Sequence, residues 1–367
     1  MMKQVYVTNA LTAYGEKNWQ IAHDNALIGW QENPHDMALA LLLGASLLQL
    51  GHKESALALL STCADQNPII RIAQYNNSID ARLRTASQLA DREIRKKFTQ
   101  LQDHVIAQQK NAGRITSAIW PQTHSGPVKY PDNSLGPKPH MFYVPDLPHT
   151  EIFDTQNIDW VQSLNAHCDN IRKEYLAAMA INADVGAPYV SAQSQLGPEW
   201  QTLKGQKSWN SVHLYKDGVP QEAAENFPRT LSALSSAPLV LQNGNPMEVF
   251  FSILAPGVTI PAHFGLANCR VTAHLPLIIP KTTRSKDCAI CVGETQHIWQ
   301  KGETMLFDDS FEHSAWNKTK DSRVVLIFEA WRPDMTQGEI KAVEASYSAR
   351  SNWLNNRPNL IEKLKTT

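Results

Sequence analysis

The sequence contains few cysteines, no long apolar run and almost no net charge. Its five cysteines are odd in number and irregularly spaced, which argues against a disulfide framework and favours a reducing, cytoplasmic setting. No apolar run reaches the roughly 18 residues of a membrane-spanning helix, so none is expected. The first residues lack a basic stretch followed by an apolar block, so no secretory signal is expected. The net charge of −1 predicts no nucleic-acid partner and no binding to an anionic membrane surface.

The N-terminal part of the chain carries a helical pattern that repeats. Ala22 and Ala56 lie 34 residues apart, and so do Asn33-Pro34 and Asn67-Pro68. Small residues at fixed places let paired helices approach closely, and each proline ends a helix. The period resembles that of the tetratricopeptide repeat, although a plain helical bundle stays open. Two units are too few to form a long concave binding groove. Docking of a protein partner, or self-association, is therefore only a hypothesis for these helices.

Changes of composition along the chain predict three segments. Residues 1–111 form the helical, repeat-like domain, which ends in a linking helix over 79–110. Residues 112–335 form a strand-rich domain, because short β-rich runs alternate there with turn signals. Such a pattern predicts a sandwich or a barrel. Residues 336–367 return to helix as a C-terminal extension, so the fold class is α+β.

Polar side chains stand inside the apolar strand segments of the second domain. Arg270, Thr272 and His274 are spaced two residues apart, so in a strand they point to the same side. A buried arginine or histidine is costly unless it is paired. A carboxylate, from a ligand or from the protein, is therefore the expected partner. Two further polar residues of this kind are His263 and His313.

The order of these motifs resembles that of the aspartyl/asparaginyl β-hydroxylases. The resemblance runs from Lys207 to about Thr336 and is most specific in the string Phe-Asp-Asp-Ser-Phe-Glu-His at 307–313. Other matching motifs are Pro-Ala-His-Phe-Gly at 261–265 and Trp-Arg-Pro at 331–333. This family uses Fe(II), 2-oxoglutarate and O2 on a double-stranded β-helix, or jelly-roll, fold. The resemblance implies the same fold and cofactors here.

The resemblance implies that His263 and His313 hold the iron. Most non-haem Fe(II) oxygenases add a carboxylate, usually two residues after the first histidine, but this chain has Gly265 at that position. The family resembled here has the same two-histidine arrangement with glycine, so the missing acid favours it over the generic oxygenase. Asp308 or Asp309 stays open as a carboxylate that assists the metal, directly or through water.

The other site residues follow by position in the resembled family. Arg323 is expected to clamp the distal carboxylate of 2-oxoglutarate, since a planar guanidinium suits bidentate binding. Ser252 is expected to hydrogen-bond the same carboxylate, and His274 to lie near the proximal one. Arg270 is expected on the substrate side. With the two histidines, Arg323 completes the expected catalytic set.

Two positions depart from the animal enzymes of the family. Those enzymes carry an arginine where this chain has Thr272, and a lysine at the place of Phe250. The loss of two cations weakens the expectation of an acidic substrate side chain. The expected function is hydroxylation of an aliphatic carbon in an amino acid, peptide or protein residue. A lipid-type hydroxylase of the same superfamily and an inactive jelly-roll binding module stay open as alternatives.

Overall fold

The computed structural model describes residues 2–182, 185–281 and 285–365. The chain divides into two compact units, Met1–Val128 together with Lys341–Thr367, and Lys129–Ile340. The sequence places the boundaries after residues 111 and 335, whereas the structure has them after residues 128 and 340. Within the described ranges, no helix is long and apolar enough to cross a membrane.

The helical unit begins with short helices that repeat along the chain. Its first six helices are α1 (Met2–Gly15), α2 (Trp19–Glu32), α3 (Met37–Gln49), α4 (Lys53–Gln66), α5 (Ile69–Ile72) and α6 (Ala81–Ala107). Both bounds of α2 recur 34 residues later in α4 (19 to 53 and 32 to 66). The side chains of Asn18 and Asp36 accept backbone N–H groups at the starts of α2 and α3, which stabilises these ends. The sequence period is therefore also a period of the helices.

Gly44 brings α3 close to α4. A Cβ atom at this position would overlap the side chain of Leu60. We expect Gly44→Val to lower the free energy of unfolding by about 1–3 kcal/mol, because added methyl groups overpack a filled interface. Chemical denaturation measures the change. Ser46→Ala is the matched control, since this buried hydroxyl has no hydrogen-bond partner among the described residues. Equal stability of the two variants would contradict a close helix contact at Gly44.

Within the part of the chain that the structure describes, the second unit contains the β-structure and three short α-helices. The helices are α7 (Asp159–Ala166), α8 (Cys168–Ile181) and α9 (Pro228–Ala233). The strands are β1 (Ile152–Phe153), β2 (Ala187–Pro188), β3 (Trp209–Lys216), β4 (Val219–Pro220), β5 (Leu241–Gln242), β6 (Asn245–Pro246), β7 (Glu248–Leu254), β8 (Val258–His263), β9 (Arg270–Ile278), β10 (Cys288–Val292), β11 (Thr295–His297), β12 (Met305–Phe307), β13 (His313–Asn317) and β14 (Arg323–Trp331).

The strands from β7 to β14 are divided between two antiparallel sheets. The larger sheet has the order β1-β12-β9-β14-β7-β3-β2, with β4 paired to β3, and the smaller has the order β11-β10-β13-β8. A two-stranded ribbon joins β5 and β6. Apart from the β10–β11 hairpin, successive strands after β7 alternate between the two sheets. This alternation defines a double-stranded β-helix, so the expected jelly-roll fold is confirmed.

The larger sheet is buried on both faces, and its two faces have different neighbours. One face packs in an apolar core with residues of α7, α8 and α9. In β9 this face carries Val271, Ala273 and Leu275, whereas Arg270 and His274 on the other face line a cavity. Because side chains alternate between the two faces along a strand, the polar residues of β9 point toward the jelly-roll interior.

The C-terminal helix α10 spans Gln337–Glu362. The sequence predicts an extension over 336–367, but residues 341–367 belong to the helical unit. The physical reason is apolar burial, because Leu364 lies in the core of that unit and Trp353, Leu354 and Ile361 pack against it. The segment is therefore part of a domain and not a separate extension.

Candidate active site

His263 and His313 lie side by side at the ends of β8 and β13. They are directly paired in the register of the smaller sheet, and their ring centroids are 4.1 Å apart. His263 Nδ1 is 2.8 Å from Pro261 O, and His313 Nδ1 is 3.0 Å from Phe311 O. A carbonyl oxygen can only accept, so each Nδ1 carries the proton and each Nε2 keeps its lone pair. The pair therefore presents two ring nitrogens with free lone pairs.

Both rings are neutral at neutral pH. Burial lowers the pKa of His263 to about 4, with a smaller effect from the neighbouring His313. Burial also lowers the pKa of His313. Neutral imidazole is the form that binds metal ions. The electrostatic state of the two rings therefore suits a metal centre.

Gly265 and Asp309 share the space next to this pair. A Cβ atom at residue 265 would overlap the Asp309 carboxylate, so this carboxylate fills the place of a side chain there. Asp309 Oδ2 accepts a hydrogen bond from Thr272 Oγ1 at 3.1 Å, while Oδ1 is buried without a hydrogen-bond partner among the described residues. Burial raises the pKa of this carboxyl, and Arg270 opposes the shift.

Asp308 has a different environment from Asp309. It forms a buried ion pair with Arg332, 2.8 Å from Nη1, and accepts hydrogen bonds from Ser310. Burial raises the pKa of Asp308 to about 7. Of the two aspartates only Asp309 lines the cavity. Across the described ranges, no group of three His, Cys, Asp or Glu residues is arranged to hold a metal ion.

Arg323 is buried at the start of β14 and contacts Ser252. Its Nη1 lies 3.2 Å from Ser252 Oγ and 3.3 Å from Ser252 O, and Trp209 Nε1 donates to the same hydroxyl at 3.0 Å. The ring of Trp299 lies over the guanidinium, 4.6 Å from centroid to Cζ. Burial lowers the pKa of Arg323 to about 10, so the side chain remains charged at neutral pH.

Several buried side-chain nitrogens near Arg323 lack a hydrogen-bond partner among the described residues. Arg323 Nε, His274 Nδ1 and Trp299 Nε1 have no hydrogen-bond partner within the described part of the chain. Burial, followed by the charge of Arg323, lowers the pKa of His274 well below its usual value. Buried polar groups are rarely left unsatisfied in native proteins. Their clustering indicates a place for an acceptor-rich ligand.

One cavity joins all the residues predicted for the site. Its volume is about 290 Å³, which gives room for a small co-substrate and part of a second molecule. The lining includes Ser252, His263, Arg270, His274, His313 and Arg323. Arg270 also forms an ion pair with Glu329, 3.0 Å from Nη1 to Oε2. The expected carboxylate partner of this arginine is therefore supplied by the protein.

Several lining residues were missed by sequence reasoning. They are Tyr189, Trp209, Glu248 and Glu329. Glu329 had a signal, because it lies six residues after Arg323 and a strand turns the same face inward every second residue. Tyr189 and Trp209 had none, since they reach the cavity through tertiary contacts with distant segments.

The fold and the cavity define a jelly-roll protein with a candidate metal centre. Residues 165–333 match the family model described as aspartyl/asparaginyl beta-hydroxylase. This stretch of the chain is therefore similar to that family.

Curated relatives match over about half of the chain. The human aspartyl/asparaginyl beta-hydroxylase is 31% identical over 196 residues, 52% of this chain and 24% of that protein. The human aspartate beta-hydroxylase domain-containing protein 2 is 30% identical over 214 residues, 56% of this chain and 54% of that protein. An ornithine lipid ester-linked acyl 2-hydroxylase of Rhizobium tropici is 28% identical over 188 residues, 51% of this chain and 62% of that protein. The chain thus spans less than two thirds of each of these relatives.

Proposed function

We propose that the jelly-roll unit is an Fe(II)- and 2-oxoglutarate-dependent hydroxylase that acts on an aliphatic carbon of an amino acid, peptide or protein residue. The observation that carries the proposal is the convergence of all predicted site residues on one cavity. They come from five strands, β7, β8, β9, β13 and β14, in both sheets. The family match supports a hydroxylase as the reaction class.

His263 and His313 would hold the metal through their Nε2 atoms. Their Nδ1–H groups are engaged by backbone carbonyls, which fixes the tautomer and the ring orientation, as is usual around metal-binding histidines. An Fe(II) ion held there supplies the activation of O2 that couples oxidation of 2-oxoglutarate to succinate and CO2 with hydroxylation of a C–H bond. Two protein ligands leave more positions open to small molecules than the usual three.

Arg323 and Ser252 would bind the distal carboxylate of 2-oxoglutarate. No carboxylate of the described residues forms an ion pair with this buried arginine, and an unpaired buried charge is costly. A carboxylate ligand relieves that cost through charge-assisted hydrogen bonds. His274 lines the same cavity, and its Nδ1 has no hydrogen-bond partner among the described residues, so it would bind the proximal carboxylate. An anion site of this kind favours a working enzyme over a binding module without co-substrate.

Gly265 would keep room for the Asp309 carboxylate beside the metal. We expect Gly265→Asp to give no gain in turnover and to lose most of it, because the new Cβ needs the space that Asp309 occupies. The measurement is 2-oxoglutarate consumption by the iron-loaded variant. Gly126→Asp, in the other unit, is the control, because it adds the same negative charge outside the cavity and is prepared in the same way. Higher turnover in Gly265→Asp would mean that a third direct ligand improves this site, contrary to the proposed two-histidine centre.

A lipid-type hydroxylase is the second candidate function. The similarity to the acyl 2-hydroxylase of Rhizobium tropici favours it, while the matches to proteins named for aspartate or asparagine favour an amino-acid residue. Both candidates use the same metal and co-substrate, so only the substrate separates them. Incubation with peptide mixtures and with acylated amino-acid lipids, followed by mass spectrometry for a gain of one oxygen, distinguishes the two.

The test of the shared chemistry is succinate formation. We expect the full chain to convert 2-oxoglutarate to succinate slowly without added substrate, and to do so only with Fe(II) and O2. A chelator should stop the reaction, and renewed Fe(II) should restore it. Succinate formation that ignores Fe(II), or none under any tested substrate, would overturn the proposal.

A further inference from the structure

The end of the cavity away from Arg323 carries two neighbouring carboxylates. Glu329 lies six residues along β14 from Arg323, roughly 20 Å in a strand. The pairing of β14 with β7 sets Phe328 opposite Val249, which brings Glu329 beside Glu248. Both glutamates line the cavity. Two like charges side by side in a partly buried wall repel each other unless a cation lies between them.

The protein supplies one cation at this end of the cavity lining. Arg270 is paired with Glu329 at 3.0 Å. His213 Nε2 lies 3.5 Å from Glu248 Oε2, but burial lowers the pKa of this histidine to about 4, so the ring is neutral at pH 7. Burial and the charge of Glu329 raise the pKa of Glu248 to about 7. Glu248 is therefore only partly charged at pH 7, and a cationic group beside it would stabilise its ionised form.

Two more charged groups act on Glu248 from the surface. Asp217 raises the pKa of Glu248 and Lys216 lowers it, so the two oppose each other. Both side chains are exposed and neither lines the cavity.

Aromatic rings line the same cavity as the two glutamates. Tyr189 stacks on Trp209, with ring centroids 4.0 Å apart, and its ring lies 5.4 Å from that of Phe250. Desolvation of its hydroxyl, followed by the charges of Glu248 and Glu329, raises the pKa of Tyr189, while 43% of the residue's surface stays exposed. Ring faces next to carboxylates attract ammonium and guanidinium groups. The charges and the rings thus favour the same kind of ligand.

We propose that this end of the cavity binds a cation, so that the substrate of the proposed hydroxylase carries an ammonium or guanidinium group which Glu248 and Glu329 receive between aromatic rings. The inference rests on the proposed function for the identity of the site as a substrate pocket. The amine belongs either to a side chain within a peptide or to the α-amino group of a free amino acid. An acidic side chain, by contrast, would meet two carboxylates and an arginine already paired.

The test measures binding without turnover. The full chain is loaded with Zn(II), which has no redox chemistry, and saturated with 2-oxoglutarate. Isothermal titration calorimetry then compares four probes: Nα-acetyl-lysine methylamide, its norleucine and aspartate counterparts, and norleucine amide with a free α-amine. We expect at least one amine to bind roughly 10- to 100-fold tighter than the uncharged norleucine probe, the range for a hydrogen-bonded charge. The capped lysine reports a side-chain amine and norleucine amide an α-amine.

Charge variants locate the preference in the cavity. We expect Glu248→Gln to remove most of the preference for the amine, and the exposed Glu225→Gln, outside the cavity lining, to preserve it. Equal binding of the amines and uncharged norleucine, tightest binding of the aspartate probe, or an unchanged preference in Glu248→Gln would each overturn the inference. Succinate formation is measured separately on iron-loaded protein. Its absence would overturn the proposed function but leave an observed amine preference standing.

Discussion

Replacing either His263 or His313 with alanine is expected to abolish 2-oxoglutarate turnover while the protein stays folded. Each histidine supplies one of two metal-binding nitrogens, and no three-residue group of other metal-binding side chains is available among the described residues. Loss of a residue that only orients a ligand already costs 10- to 100-fold in metal affinity. Loss of a ligand should therefore weaken Fe(II) binding by roughly 100-fold or more. Succinate formation and iron content after gel filtration measure the two effects.

These variants need a control that loses a histidine outside the site, so that effects on folding can be separated from effects on the metal centre. His149→Ala serves this purpose, because His149 is exposed and lies in the same unit. Circular dichroism and thermal unfolding should be similar for all three variants, since both site histidines are neutral and sit at strand ends. Undiminished turnover in either site variant would remove that histidine from the metal centre.

The predictability of the site from sequence depended on strand periodicity. Arg270 and His274 share a face because they lie four residues apart in one strand, and this relation is local. The motifs of the resembled family then predicted that His263, His313 and Arg323 lie in the same site as that strand. All of these residues do line one cavity, so the short-range pattern together with the family motifs located the polar wall.

Long-range contacts could not be predicted in this way. Trp209 reaches Ser252 because β3 pairs with β7 in a register that leaves no mark on either segment. The ion pair of Arg270 with Glu329 depends likewise on the pairing of β9 with β14. The core position of Leu364 in the helical unit depends on packing against residues far away in the chain. These relations are set by tertiary burial, which local propensity does not encode.

Replacing Arg323 with methionine is expected to weaken 2-oxoglutarate binding strongly and Fe(II) binding little. A charge-assisted clamp that is lost with its partner left unpaired costs about 2–5 kcal/mol, or roughly 30- to 3,000-fold in the dissociation constant. Arg323→Lys should fall between the wild type and methionine, because lysine keeps the charge but loses the planar pair of donors. Titration of 2-oxoglutarate into the Zn(II)-loaded protein gives the dissociation constants. The exposed Arg229→Met in the same unit is the control.

Stability without 2-oxoglutarate separates a ligand clamp from a structural arginine. Arg323 is fully buried, and among the described residues it contacts Ser252 and Trp299 but forms no ion pair with a carboxylate. Replacing a buried charge of this kind by an apolar side chain of similar length should leave the melting temperature unchanged or raise it. Saturating 2-oxoglutarate should then stabilise the wild type but not Arg323→Met, since stabilisation follows the ratio of ligand concentration to dissociation constant. A large loss of stability in the ligand-free variant, with 2-oxoglutarate affinity retained, would instead assign Arg323 to the architecture of the sheet.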